Sequence, residues 1–215
     1  MTPRLVETNL LRMASGLHLA RLRCTACGEC CRVVHVPLTF ADLSRLCQAR
    51  GLDPNTVIDW ASLEEVDFSG EPSNLVLLPQ GYRVMFLRRV EGACRFLDAA
   101  SRCAVHEARP AACRAYPLHA SFSKRGGLVR LRVLRGVDCP YELEAESALS
   151  RVRHDHAQLA RELHQHYAAV ATWNRSQGHR RRLGKPLASA TQLFARVLGA
   201  PPLGTNRVRA AHSEP

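Results

Sequence analysis

The segment CTACGECC places four thiols, Cys24, Cys27, Cys30 and Cys31, within eight consecutive positions. Free cysteine behaves as a small hydrophobic side chain and is often buried, but the adjacent Cys30 and Cys31 cannot both face one apolar core from a regular element. The residues between the thiols are small or polar, so no strand or helix face is being filled. Gly28 allows the tight backbone that brings neighbouring thiolates around one centre. The spacing therefore indicates disulfides or a metal site rather than core packing.

The composition favours a metal over disulfides. The chain has 215 residues, 46% of them hydrophobic, which is enough for a core without covalent staples. Residues 1–23 lack the continuous apolar stretch of a secretory signal and predict an entry segment, although their Arg-rich, acid-poor composition also resembles a transit peptide. No run of about 18 apolar residues predicts a membrane span. A cytoplasmic protein is expected, and there clustered cysteines are more often metal ligands.

The charge limits the choice of partners. The formal net charge is +11, and Lys124 and Lys185 are the only lysines among the cations. Such a balance favours acidic partners, which include nucleic acid, membrane surfaces and acidic proteins. The basic residues are spread along the chain, apart from the run at 179–182, and only 6% of residues are aromatic. Without a stacking platform, nucleic acid is a minor alternative.

The pattern of apolar residues and turn signals predicts an α+β protein. We expect short antiparallel strands, flanking helices and a long C-terminal helix in a small domain organised by its metal. The predicted strands cover 33–36, 75–78, 82–87 and 128–134. A helix opens with a capping box at Thr39 and Asp42 and stops at Gly51, and a second helix follows Asp53 and Pro54, with apolar positions up to Leu63.

The C-terminal part is predicted to be helical over 142–173, to cross a basic connector at 178–186, and to end in a helix over 187–198. The expected organisation is an entry segment at 1–23, a cysteine-cluster domain at 24–140, a helical region packed on it at 141–200, and a disordered tail at 201–215.

The remaining cysteines decide which metal is expected. Cys47 lies on the apolar side of a predicted helix and is interpreted as core filler, which leaves eight cysteines for two four-thiolate sites or one polynuclear cluster. The spacing C-x2-C-x2-C is that of the three-ligand loop of bacterial ferredoxins, and Cys139, before a proline, is a plausible fourth ligand. Cys31 departs from that pattern. Zinc sites more often pair two C-x2-C knuckles, so an iron–sulfur cluster, such as [4Fe–4S], is favoured and zinc is the alternative.

The order of motifs also resembles a known family. CxxCxxCC, then CRFLD, then CAVHEARPAACRAYP and a late cysteine are similar to the CxxCxxCC family of zinc- or iron-chelating proteins, which includes YkgJ-type proteins and the catalytic part of flagellin lysine N-methylases. The resemblance covers about 24–140 and implies a metal centre, without an established reaction for most members.

The resemblance also implies the site residues. Its ligand candidates are Cys24, Cys27, Cys30, Cys31, Cys94, Cys103, Cys113 and Cys139. Arg109 and Arg114 fit beside an anionic thiolate centre, because guanidinium groups neutralise it and donate to sulfur. Tyr116 is a candidate for a hydrogen bond or proton transfer, with core packing as the alternative. His106 is a possible substitute ligand, although a supporting or surface role is favoured.

Other catalytic signatures are missing from the sequence. His154, His156, His164 and His166 form no H-E-x-x-H pair and are interpreted as a solvated helix face. No G-x-G-x-x-G loop or P-loop is present, which argues against a conventional nucleotide or adenosylmethionine site.

The leading hypothesis is therefore an iron–sulfur protein that acts in electron transfer, metal handling or cluster-dependent modification of a protein, with a protein substrate or redox partner. The alternatives are a non-catalytic structural-zinc module that binds an acidic partner, and a protein-lysine N-methylase. Whether the protein is an enzyme is left open.

Overall fold

The structure is a computed structural model that describes residues 21–23, 27–65, 72–116, 118–122, 128–133, 142–144 and 149–199, with side chains over 27–65, 72–116 and 154–199. Most of the entry segment, the tail at 201–215, and the ligand candidates Cys24 and Cys139 lie outside the described residues.

The described elements confirm an α+β fold with short antiparallel strands and a long C-terminal helix. The helices are α1 (Glu29–Val33), α2 (Phe40–Arg50), α3 (Pro54–Val57), α4 (Ala111–Ala115), α5 (Leu149–Arg182) and α6 (Ala190–Leu198). The strands are β1 (Arg21–Arg23), β2 (Ile58–Ala61), β3 (Val76–Leu78), β4 (Gly81–Leu87), β5 (Arg89–Val90), β6 (Ala93–Cys94), β7 (Leu118–Phe122), β8 (Leu128–Val133) and β9 (Glu142–Glu144).

A three-stranded antiparallel sheet with the order β2-β4-β3 forms the centre of this arrangement. Trp60 lies opposite Met85 in one pair of strands, and Val76 opposite Arg83 in the other. The other strands form three two-stranded pairs, β1–β9, β5–β6 and β7–β8. Since β4 is central, its residues 84–87 are buried.

The local signals for α2 are confirmed. The Thr39 hydroxyl accepts from the Asp42 amide, and the Asp42 carboxylate accepts from the Thr39 amide, which completes the capping box. The helix ends at Gly51 in the left-handed conformation (φ 60°), which a residue without a Cβ adopts at little cost. Asp53 caps α3 with Pro54 at its first turn, as predicted.

Several predicted boundaries are wrong, because long-range pairing overrides local periodicity. Residue 33 ends α1, and of the segment after it only Pro37 bridges β4, at Phe86. The second helix is a single turn, since residues 58–61 pair with β4 instead. Residues 142–144 form a strand with β1, and α5 continues through Gly178 to Arg182, so the predicted connector at 178–186 is largely helical.

The hydrophobic core joins the central sheet to the C-terminal helices. Buried residues of α2, α3 and the sheet cluster with Val170 and Trp173 of α5 and with Leu193 and Phe194 of α6. The Trp173 indole N–H donates to the Leu77 carbonyl at 2.9 Å. Helices α5 and α6 are thus packed on the central sheet, while the domain organisation remains a prediction.

Helix α5 also covers the edge strand β3 with polar contacts. Asn174 Oδ1 accepts from the Leu77 amide at 2.8 Å, and its Nδ2 donates to the Leu75 carbonyl at 2.7 Å. These bonds satisfy backbone groups that an edge strand otherwise leaves open. Within the described chain, no helix combines the length and apolar character that crossing a bilayer requires.

Candidate metal centre

Helix α1 carries Cys30 and Cys31. It starts after Gly28, whose φ of 79° is left-handed, and the Val34 amide closes it by donating to the Cys30 carbonyl at 2.9 Å. A Cβ on Gly28 would lie 3.2 Å from the Ser101 carbonyl oxygen. Glycine is therefore required here both by the backbone angle and by the close approach of the chain that bears Cys103.

Arg89 fixes α1 against the hairpin that bears Cys94. Its guanidinium group donates to the carbonyls of Arg32, Val34 and Gly92, the bond to Val34 being 3.0 Å long. The first two carbonyls lie at the end of α1, where backbone acceptors lack intrahelical partners, and Gly92 lies in the β5–β6 turn. One side chain thereby holds together two cysteine-bearing elements.

Cys94 and Cys103 lie on either side of one tight turn. The Leu97 amide donates to the Cys94 carbonyl at 2.9 Å, and Leu97 forms an isolated bridge with Cys103. Within the turn, Asp98 Oδ1 accepts from the Arg102 amide at 2.8 Å. The spacing of nine positions between the two cysteines is therefore closed by local backbone bonds.

The cysteines meet at a cavity of about 440 Å³. Four of them line it, Cys30, Cys31, Cys94 and Cys113. Arg89, Tyr116 and His156 contribute the polar part of the wall, and the rest is aliphatic, with Leu159 and Leu163 of α5 among the residues. The fold thus brings thiols of three separate elements, α1, β6 and α4, to one place, although no three Cys, His, Asp or Glu side chains already surround a common ion position in the described part.

The thiols influence one another's ionisation. The Cys30 thiol has its pKa raised by the hydrogen bond with the Cys31 side chain and then by burial. Burial raises the pKa of Cys113 most, and the charges of Cys30 and Cys94 add to it. Burial likewise raises the pKa of Cys94, with Cys103 and Cys30 contributing and Arg89 opposing. The four residues Cys30, Cys94, Cys103 and Cys113 are therefore within electrostatic reach. The raised pKa values of Cys30, Cys94 and Cys113 favour the protonated thiols at neutral pH.

Two other cysteines occupy different places. Cys27 is half-buried just before α1. Cys47 lies on α2 and packs against the hydrophobic core, as predicted, and burial raises its pKa to about 11, with Asp53 adding to the shift. Cys47 does not line the thiol cavity.

The two arginines expected beside the thiols have other contacts. Arg114 Nη1 donates to the Arg109 carbonyl at 2.6 Å, and its Nη2 lies 3.7 Å from Glu162. Arg109 Nη1 lies 2.7 Å from Nε2 of His106 and donates to the His106 carbonyl at 2.9 Å. Arg89, which the sequence reasoning missed, lies beside Cys94. Tyr116 lines the cavity, and its predicted role stays a prediction.

The interpretation of the α5 histidines as a solvated face is wrong for two of the four. His154 and His164 are exposed, but His156 and His166 are buried. Positions 156, 159, 163, 166, 170, 173 and 177 alternate by three and four residues and form one inward face, which is the spacing of a packed helix. That spacing was the available signal.

A comparison with protein families identifies the family of this chain. The family CxxCxxCC, described as "Putative zinc- or iron-chelating domain", matches residues 23–132. No curated protein and no solved structure matches the chain. The links to YkgJ-type proteins and to lysine methylases remain predictions.

Proposed function

This chain belongs to the CxxCxxCC family of zinc- or iron-chelating domains, and we propose that its cysteines hold an iron–sulfur cluster used in electron transfer. The cluster would be bound by Cys30, Cys31, Cys94, Cys103 and Cys113 together with Cys24, Cys27 and Cys139, of which four serve one cubane cluster. An iron–sulfur cluster supplies one-electron chemistry at a potential set by exposure and by hydrogen bonds to sulfur.

The observation that carries the proposal is the thiol-lined cavity. A tetrahedral zinc ion with Zn–S bonds of about 2.3 Å needs sulfurs only about 3.8 Å apart around one point. Four of the described thiols instead line a cavity of about 440 Å³, which suits a larger polynuclear body. Soft thiolate donors fit iron–sulfur clusters as well as zinc.

Exposure supports electron transfer over a sealed structural role. The described ligand candidates are half-buried rather than fully enclosed, which leaves an approach for a redox partner. The net charge of +11 favours an acidic surface on that partner. Arg89, beside Cys94, offsets part of the negative charge that the ligated thiolates would carry.

Assembly of the cluster is expected to require the removal of protons from the thiols that bind it. Because the hydrogen bond with the Cys31 side chain raises the pKa of Cys30, and burial raises the pKa values of Cys94 and Cys113, ligation has to displace their protons. Assembly should therefore be slower and weaker as the pH falls, and it should release protons that an unbuffered solution records.

The test is anaerobic purification of the full chain, with a visible spectrum and analysis of iron, zinc and acid-labile sulfide. Iron and sulfide in equal amounts, with bleaching on reduction by dithionite, support the proposal. A colourless protein with stoichiometric zinc replaces it by the structural-zinc alternative. Iron that passes to an apo-acceptor without redox cycling favours metal handling instead.

A matched pair of variants tests the ligand set. Cys113→Ser is expected to lose most of the iron and sulfide, whereas Cys47→Ser keeps both, since Cys47 packs against the core. Equal loss in the two variants would show that folding, not ligation, governs the metal content. Transfer of a methyl group from adenosylmethionine to a lysine peptide by the purified protein would move the function to the methylase alternative.

A further inference from the structure

The carboxylate of Asp42 is almost completely buried and binds two distant segments. Its side chain is 1% exposed. Oδ2 accepts from the amide and the hydroxyl of Thr39, at 3.1 and 2.9 Å, within the capping box of α2. Oδ1 accepts from the Ala111 amide at 2.8 Å, across 69 positions of sequence. A charge this deeply buried is retained only where it is bonded, and both of its oxygens are.

Helix α4 depends on that second bond. Its N-cap residue is Pro110, which provides no side-chain cap, although the first amides of a helix need an acceptor from outside the helix. Asp42 supplies one at Ala111, the first residue of α4. Cys113 follows two positions later, so the acceptor at this amide governs where the Cys113 thiol lies.

The other end of α4 lies next to a group of charged side chains that also includes Asp42. Arg45 donates to Asp42 and to both oxygens of Glu162, at 3.1 and 3.2 Å. Arg114, next to Cys113, lies 3.7 Å from Glu162. Hydrogen bonds from Arg45 and Gln158 outweigh the effect of burial and hold the pKa of Glu162 below its usual range. Helix α4 is thus held at its start by Asp42 and near its end by Glu162.

We propose that Asp42 is the positioning residue for Cys113, acting as a remote N-cap that sets α4 in register with the other thiols. The metal part of this inference rests on the proposed function. The arrangement of the thiol itself does not, because Asp42 binds α4 directly. Hydrogen bonds from neighbouring residues that fix the orientation of a metal ligand typically contribute about 10- to 100-fold to metal affinity.

Two variants weaken the link in different ways. Asp42→Asn keeps one acceptor oxygen but removes the charge and sets an NH2 group against a backbone amide, so the side chain cannot accept from both Thr39 and Ala111. Ala111→Pro removes the amide donor and adds a ring at a buried position; proline is favoured at the first helical position, and Asp42 and the capping box of α2 are kept. Thr39→Ala is the matched control, since it breaks the capping box and leaves the bond from Ala111 to Asp42.

The first readout needs no metal. The metal-free full chain is treated with iodoacetamide, and the rates at Cys113 and Cys47 are compared by mass spectrometry. Asp42→Asn and Ala111→Pro are expected to raise the ratio of the Cys113 rate to the Cys47 rate about 10-fold, since reactivity follows access and thiolate character. Thr39→Ala is expected to leave that ratio unchanged, because general loosening accelerates both sites.

The second readout is iron content after anaerobic reconstitution at limiting iron. The affinity for iron that this content reports should fall about 10- to 100-fold in Asp42→Asn and Ala111→Pro. In Thr39→Ala it should stay near that of the wild type. An unchanged alkylation ratio in Ala111→Pro overturns the inference, even if Asp42→Asn fails to fold. If the wild-type protein takes up no metal, the proposed function fails, while the alkylation ratio still decides the role of Asp42.

Discussion

Acidification is expected to destabilise this protein through His166, a buried histidine of α5. The side chain is 2% exposed, and its Nδ1 accepts a hydrogen bond from the Phe40 amide at 3.3 Å. An accepting Nδ1 requires the neutral ring, and burial lowers the pKa of His166 from 6.5 to about 4. The proton therefore binds the unfolded chain first.

The sign and size follow from that difference. Between about pH 6.5 and 4 the unfolded state binds one more proton than the folded state, so the free energy of unfolding falls as the pH falls, by about 1.4 kcal/mol per unit. The total contribution of His166 is about 3 kcal/mol. It is fully present above pH 6.5 and is lost by about pH 4.

The assay is urea unfolding at several pH values between 4 and 7. His166→Asn is the test, because the Asn oxygen takes the place of Nδ1 as acceptor and does not titrate. His164→Asn, at an exposed position of the same helix, is the matched control. We expect the slope of stability against pH to be smaller by about 1.4 kcal/mol per unit in His166→Asn than in the control. Equal slopes would refute the reasoning, whatever the stability at pH 7.

Three further expectations concern the elements around the thiols. Gly28→Ala should lower the free energy of unfolding more than Gly51→Ala. Both substitutions cost about 1–2 kcal/mol because of the positive φ, but only the first brings a Cβ to 3.2 Å from a backbone carbonyl oxygen. Equal losses in urea titrations would contradict this expectation. Arg89→Lys should lower the free energy of unfolding by about 2 kcal/mol, since an ammonium group cannot replace a guanidinium group that donates to three carbonyls. Arg102→Lys, at a side chain 73% exposed, should change it little. Thermal unfolding compares the two variants. Trp173→Phe should cost about 1–3 kcal/mol, because it leaves a buried carbonyl without its donor; a change in melting temperature too small to measure would show that water takes over the bond.

The sequence-based predictions were right for elements that depend on neighbouring residues and wrong for elements that depend on distant ones. The capping box at Thr39, the stop at Gly51 and the strands 76–78 and 81–87 depend on neighbouring residues, and the sequence predicted them. The strand at 58–61 depends on β4, which lies more than twenty positions away. No local pattern contains that partner, so the helical periodicity was misleading.

The candidate site divides in the same way. The cysteine motifs led to the group of thiols around the cavity, because thiols at such spacings have few other uses. The role predicted for Arg114 beside the thiols stays a prediction: its guanidinium lies near Glu162, whereas Arg89, which the sequence did not single out, reaches the end of α1. Tertiary packing decides which charged side chain lies beside each thiol. No local pattern in a single sequence predicts that contact.

The core that joins the sheet to the last two helices also has a consequence for biosynthesis. Cys113 is made 85 residues before Leu198, the last residue of α6, while α5 and α6 supply Trp173, Leu193 and Phe194 to the core beneath the thiols. At about 5–20 residues per second, that interval lasts about 4–17 s. During this time the segments that carry the thiols lack the core residues that α5 and α6 supply, so we expect their thiols to be more accessible to oxidants than in the folded protein.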